Sequence, residues 1–209
     1  MTADEPAPPV DDPVTEWSDE YLDAVAERLA AHYDLDRDVR AGGERFDLHG
    51  RLRIENRKQF VVPSLTYGHH ESVQHLLLAR RDRATVADCE ALVETAERLA
   101  DGWIDPDERH FSTEFVLGLV VPTVEPAVRE FVAGFERRTL LRYGYHGHYE
   151  IRLAVVAPDE RAAVASPDTD VIEALRTWDS LAEETAGENG TGSGDGLVAR
   201  LRGLVSRRS

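Results

Sequence analysis

The chain has 209 residues, 42% of them hydrophobic, and carries 40 acidic against 24 basic side chains for a formal charge of −16. That length supports one substantial domain with its own core, and no apolar run approaches the roughly 20 residues a membrane-spanning helix needs. The one cysteine, Cys89, excludes an internal disulfide and a cysteine-rich zinc site.

Residues 1–16, "MTADEPAPPVDDPVTE", lack the basic start and apolar stretch of a secretory signal. They read as a disordered, acidic, proline-rich arm, and the chain as cytoplasmic. A helix follows, with Ser18 as its expected N-cap and a Trp17–Leu22 staple. Leu22, Val25, Leu29 and His32 or Tyr33 form its buried stripe. "RAGGER" (Arg40 to Arg45) is a turn. The strand "RFDLHGRLRIEN" alternates Phe46, Leu48, Leu52 and Ile54 with polar residues, the signature of a sheet with one wet face. "FVVPSLTY" predicts a shorter strand that Pro63 pushes toward an edge or an irregular path. "GHHE" reads as a loop and "SVQHLLLARR" as a strand. Thr85 and Asp88 then make a capping box for a helix that buries Cys89 as a small hydrophobe.

"HFSTEFVLGLVVP" is largely apolar and is expected at the centre of the sheet. A helix follows over residues 124–137. A long strand is expected from Thr139 to Val156, then a short helix from Ser166-Pro167 through Trp178. Residues 181–196 form a glycine-rich flexible linker. Residues 197–209 form a basic amphipathic tail. No internal repeat is visible. The expectation is a single α+β domain over residues 17–180, order α-β-β-β-α-β-α-β-α. Its sheet is mostly antiparallel, with helices on one face and polar residues on the other. This order resembles type III secretion chaperone-like folds, which bind partners rather than catalyse; the helix over 124–137 departs from them.

Lys58 is the only lysine. An acid excess with so little lysine is similar to that of cytoplasmic proteins from halophilic archaea. "NRKQFVVPSLTYGHHES", "HFSTEFVLGLVVP" and "RRTLLRYGYHGHYEIRLAVVAP" together resemble an uncharacterised domain family of haloarchaea, which implies no known activity. The negative charge argues against nucleic acid in dilute salt, and molar salt screens arginine–phosphate contacts.

Three features carry candidate chemistry. In "RYGYHGHYEI", His146, His148 and Glu150 recur at every second position. On a strand they share one side, and two histidines with a carboxylate are a divalent-metal donor set. His69, His70 or His49 would supply a further ligand. The pattern is similar to cupin-type metal sites but sets the glutamate too close to the second histidine. The plainer reading is a polar sheet face whose histidines pair across strands, with no cofactor. Tyr143, Tyr145 and Tyr149 have the opposite parity, expected to be the buried side, with a pocket or a dimer surface as the alternative. A distant echo of a nuclease arrangement, Asp47 with Glu55 and Lys58, has the wrong spacing. In the tail, Leu197, Val198, Leu201, Leu204 and Val205 form an apolar stripe, while Arg200, Arg202, Arg207 and Arg208 supply positive charge. That tail is a candidate docking peptide for an unknown protein partner. The leading expectation is a non-enzymatic binding or interaction domain. A metal-dependent enzyme using the His-x-His-x-Glu strand is the alternative, and a homodimer through the open sheet face or edge is a third.

Overall fold

The computed structural model describes residues 19–57, 69–107 and 109–179. The arm, the Trp17–Ser18 cap, the strand expected at Phe60–Tyr67, the linker and the tail lie outside the described residues. The elements are α1 (Glu20–Leu29), β1 (Asp34–Ala41), β2 (Glu44–Arg57), β3 (His69–Arg80), α2 (Val86–Trp103), β4 (His110–Val120), α3 (Pro126–Ala133), β5 (Arg137–Leu140), β6 (His148–Ala157), β7 (Ala162–Ala165) and α4 (Ile172–Leu175). The strands form one sheet in the order β1-β2-β3-β4-β6-β5, with β7 also paired to β6. The pairings at the two sides are antiparallel, but β3, β4 and β6 run parallel at the centre.

The parallel centre explains the apolar strands. Parallel strands joined by helices are usually covered on both faces, so they read as apolar runs rather than alternations. In β4, Phe115 to Val120 are all buried, Gly118 included. Leu77, Leu117, Leu153 and their odd-numbered neighbours pack under α2 and α3, with Cys89, Ala96, Val128 and Val132. Leu76, Leu78, Val116, Ala154 and Val156 pack on the opposite face under α1 and α4, with Leu22, Val25 and Leu175. The expectation of helices on one face only is therefore corrected. Apolar residues of both parities on the central strands require a helix layer on each side.

Two connections share one design. Five residues separate β3 from α2 and five separate β4 from α3, and the ends of the two strands pair directly, Arg80 with Val120. The second strand–helix unit thus repeats the first at an offset of 40 residues, a repeat of backbone path that the residue types do not show.

Four local expectations change. Asp19, not Ser18, caps α1: its carboxylate accepts from the Tyr21 and Leu22 N–H groups and from the Arg80 guanidinium. Burial opposes ionisation of Asp19, but the Arg80 hydrogen bond and the backbone donors prevail and hold it below the usual carboxylate range. β1 is an additional strand, whose five charged residues concealed Leu35 and Val39. It turns into β2 through Gly42 and Gly43, at φ 58° and 87°, as a two-residue hairpin demands. The long strand expected from Thr139 to Val156 is broken into β5 and β6. The helix expected after Ser166 is reduced to one turn of α4 followed by a 3₁₀ turn, Thr177–Asp179. Arg28 closes that end by donating to the carbonyls of Arg176 and Thr177, each at 3.0 Å.

The capping box is present, with Thr85 Oγ1 accepting from the Asp88 N–H at 3.2 Å. Cys89 is buried, and burial pushes its thiol up to about 11, consistent with core packing. No helix among the described residues is long and apolar enough to cross a membrane. The layered core makes a direct prediction. Leu77→Ala, at a fully buried central position, should cost about 2–5 kcal/mol. Urea denaturation should show a lower midpoint with an unchanged slope.

Candidate functional site

The stretch Arg142 to Ile151 splits in two. His148, Glu150 and Arg152 lie on β6, while residues 142–147 leave the sheet as a turn. On β6 the register gives the polar residues neighbours. Ser72 on β3 pairs with Ser112 on β4, which pairs with His148. One step along, Gln74 pairs with Glu114, which pairs with Glu150. In-register residues on adjacent strands share a face. The result is a polar grid, Ser-Ser-His beside Gln-Glu-Glu, on the central strands. It shares its face with α1 and α4, whose cover is apolar. In sequence the same feature is "S-x-Q", "S-x-E" and "H-x-E-x-R" on three strands.

Hydrogen bonds tie the grid into a chain. Tyr33 donates to Gln74 Oε1, and Gln74 Nε2 donates to Glu114 Oε2 at 2.7 Å. Arg152, only 3% exposed, donates through Nη2 to Glu150 Oε2 at 2.5 Å and through Nη1 to the Pro167 carbonyl. Its Nε lies 3.6 Å from Glu114 Oε1, beyond hydrogen-bond reach, and has no hydrogen-bond partner. Arg138 Nη2 lies 3.3 Å from His148 Nδ1. Because a guanidinium only donates, Nδ1 accepts there, which leaves the proton on Nε2, facing Glu150 Oε1 at 3.5 Å.

The two glutamates are driven apart. The His148 hydrogen bond and Arg152 hold Glu150 down at about 2, against the effect of burial. Burial pushes Glu114 up to about 7, because Gln74 and the more distant Arg152 compensate only part of the lost hydration. Glu114 thus exchanges its proton near neutrality beside a carboxylate that stays ionised, the arrangement by which a site separates acid from base.

The opposite face holds a second polar island. His49 Nε2 lies 3.1 Å from His75 Nδ1; His75 stacks on Phe115 with centroids 5.3 Å apart, and Trp103 lies over both rings. Burial lowers both histidines, His75 to about 3, and the pair is neutral at pH 7. A hydrogen bond between neutral imidazoles needs one donor and one acceptor, which this pair supplies.

The turn beyond β6 is built differently. Arg142, Tyr143, Gly144 and Gly147 have φ of 46°, 59°, 89° and 74°. Positive φ at two successive non-glycine residues, one aromatic, stores strain. The turn is closed by Leu141 N–H to the Gly147 carbonyl at 2.9 Å and Gly144 N–H to the Leu141 carbonyl at 2.8 Å. His110 Nδ1 donates to the His146 carbonyl at 2.7 Å and anchors the turn to β4. A Cβ on Gly147 would lie 2.0 Å from the Phe111 carbonyl oxygen, so only glycine permits this approach. The result displays Tyr143 at 96% and Tyr145 at 87% exposure. The expectation that these tyrosines are buried is corrected: positive φ breaks the alternation that would have turned them inward. Tyr149, on β6 itself, packs against the core as expected.

Among the described side chains, the structure does not bring the expected metal donors together. His148 and Glu150 share the grid, but His146 belongs to the turn. His69 and His70 open β3 in register with Arg57 and Asn56, so "GHHE" is in part strand; their side chains lie outside the described residues. His49 is on the opposite face. Among the described residues, no group of three or more histidine, cysteine, aspartate or glutamate side chains could hold a metal ion. Asp47 accepts from the Arg80 N–H at 2.6 Å, while Lys58 lies outside the described residues. Ser72, Gln74, Ser112 and Glu114 were missed as site residues. Their signal was the shared parity of polar residues on strands otherwise apolar.

Fold and site together define a mixed α/β domain built on one sheet, with a polar half-face on its parallel centre. The chain belongs to the family described as a domain of unknown function, DUF8052, whose family model matches residues 18–177. No curated protein and no solved structure matches it.

The shifted groups set a pH dependence. The histidine pair is lowered in the fold, so the unfolded chain binds more protons below about 6.5 and stability falls on acidification. Glu114 is raised, so the folded chain binds more protons between about 4.5 and 7 and its contribution is lost as pH rises through that window. Glu114→Gln removes the second effect alone. Relative to that variant, the native chain should gain roughly 1–3 kcal/mol of unfolding free energy between pH 8 and pH 5. Urea titrations of both chains should diverge toward acid; parallel profiles would contradict the shift.

Proposed function

We propose that this is a binding domain that engages a protein partner through the Arg142–Gly147 turn. The observation that carries the reading is the near-complete exposure of Tyr143 and Tyr145 on a strained, internally hydrogen-bonded turn. Contiguous exposed apolar patches mark contact sites, and tyrosine and arginine dominate the energetics of protein interfaces. A turn already held in one conformation loses little entropy on binding. Leu140 is also exposed, just before the turn, and Arg142 forms no ion pair among the described residues. From Arg137 to Tyr149 the chain contains three arginines and no acidic residue; Arg137 pairs with Glu97 and Arg138 lies 3.8 Å from Glu150, which leaves Arg142 as the turn's own positive charge. An acidic partner surface suits that local charge.

The tail supports a second contact by its sequence alone: Leu197, Leu201 and Leu204 for an apolar groove, Arg200, Arg202, Arg207 and Arg208 for acidic flanks. The sheet edges do not favour a homodimer through strand addition. β5 has four residues and β1 is highly charged, with Asp38 at φ 54°, features that discourage strand addition.

A photo-crosslinking residue placed at Tyr145 in the native cell tests the turn. One discrete crosslinked product is expected there, lost on Tyr143→Ser/Arg142→Ser, and none from the same residue at exposed Glu94 on α2. Equal labelling from both positions would overturn the proposal. Tyr143→Ser/Tyr145→Ser should leave the melting temperature within about 2 °C of the native chain, since rings this exposed bury little on folding.

A further inference from the structure

We infer that Ser72, Gln74, Ser112 and Glu114 form a binding site for a small organic amine, its ammonium group seated on Glu114. The site is separate from the turn and independent of the partner reading.

The grid is costly to fold. Polar groups on the central strands of a parallel sheet lose hydration that apolar residues would not. Here six in-register positions are polar on one face, while the same strands carry Val73, His75, Thr113, Phe115, Tyr149 and Ile151 on the other. Buried ionic groups are commonly no better for stability than apolar replacements. A grid confined to one half of one face serves recognition better than it serves folding.

The charges around Glu114 do not balance. Arg152 commits its two terminal nitrogens to Glu150 and the Pro167 carbonyl. Glu114 receives one hydrogen bond, from Gln74. Its Oε1 has only the Arg152 Nε at 3.6 Å. Its side chain is 26% exposed, so this incompletely compensated carboxylate can be reached. An ammonium group supplies the missing donor and the missing charge. The partly exposed hydroxyls of Ser72 and Ser112, joined by a 3.0 Å hydrogen bond, lie one row along the strands. They can bond a second polar group on the same ligand, about 6.5–7 Å from the first.

A metal ion fits less well, because the exposed donors are hydroxyls, an amide and one carboxylate. An anion would meet Glu114 itself. Binding should depend on pH. The charged and titratable groups facing Glu114 are Arg152 and Glu150 on β6, Tyr33 after α1 through Gln74, and Asp170 before α4. Burial pushes Glu114 up to about 7, and it must ionise to hold an ammonium group.

Calorimetry of the full chain with ethanolamine and with putrescine, at low ionic strength so that the ammonium–carboxylate contact is not screened, tests the site. Saturable binding of at least one is expected at pH 8, about tenfold or more weaker at pH 5.5, and abolished in Glu114→Gln. Ser112→Ala should weaken it several-fold, which keeps the test decisive if the first variant fails to fold. No saturable binding by either amine at 10 mM, on the order of the weakest affinity worth assigning, would overturn the inference. So would binding unchanged in both variants, or binding of acetate in place of the amines.

Discussion

Arg152 is the residue on which the rest of the structure depends. A guanidinium cannot give up its charge inside a protein, so a chain that buries it must bring partners to it. At 3% exposure Arg152 is buried on β6. It draws in Glu150 on its own strand, Glu114 on β4 and the Pro167 carbonyl of the segment leading to α4. That segment is also fixed by Ser166 and Thr169, whose hydroxyls are bonded to the Leu153 N–H and the Ser166 carbonyl. α4 in turn receives Tyr21 and Arg28 from α1. One buried cation thus connects the centre of the sheet to the helix layer on that face.

The same constraint divides the sheet. One face is largely apolar, and its buried histidine pair, His49 and His75, is made tolerable by being neutral and mutually bonded. The other face is apolar beneath α1 and α4 and polar beyond them. There Glu150 is fully compensated and Glu114 is not. This imbalance, rather than any sequence motif, gives the grid chemistry.

Much of the fold was legible in the sequence. The apolar run Phe115 to Val121 places β4 at the centre, Thr85 and Asp88 announce α2, and the spacing of Leu22, Val25 and Leu29 gives the buried face of α1. The alternation of His148, Glu150 and Arg152 marks a polar strand face. What was not legible depended on partners distant in the chain. The polar parity of "SVQ" and "STE" has meaning only once β3, β4 and β6 are known to be parallel and in register. Parallel pairing itself leaves no local signal beyond apolar character on both faces. The break at Arg142 and Tyr143 was hidden because both residues adopt backbone angles that their side chains disfavour. β1 was hidden by its charge: an edge strand can carry aspartates and arginines at nearly every position because one edge remains in water.

The separation of Glu114 from Glu150 is the central claim, and it can be measured directly. Carbon-13 NMR of the glutamate side-chain carboxyls, titrated from pH 2 to pH 9 with Glu114→Gln and Glu150→Gln for assignment, reads each group on its own. The account requires Glu114 to titrate near 7 while Glu150 stays ionised down to about 2. Two glutamates titrating together near 4.3, the ordinary value, would show that the grid is solvated surface and would contradict it.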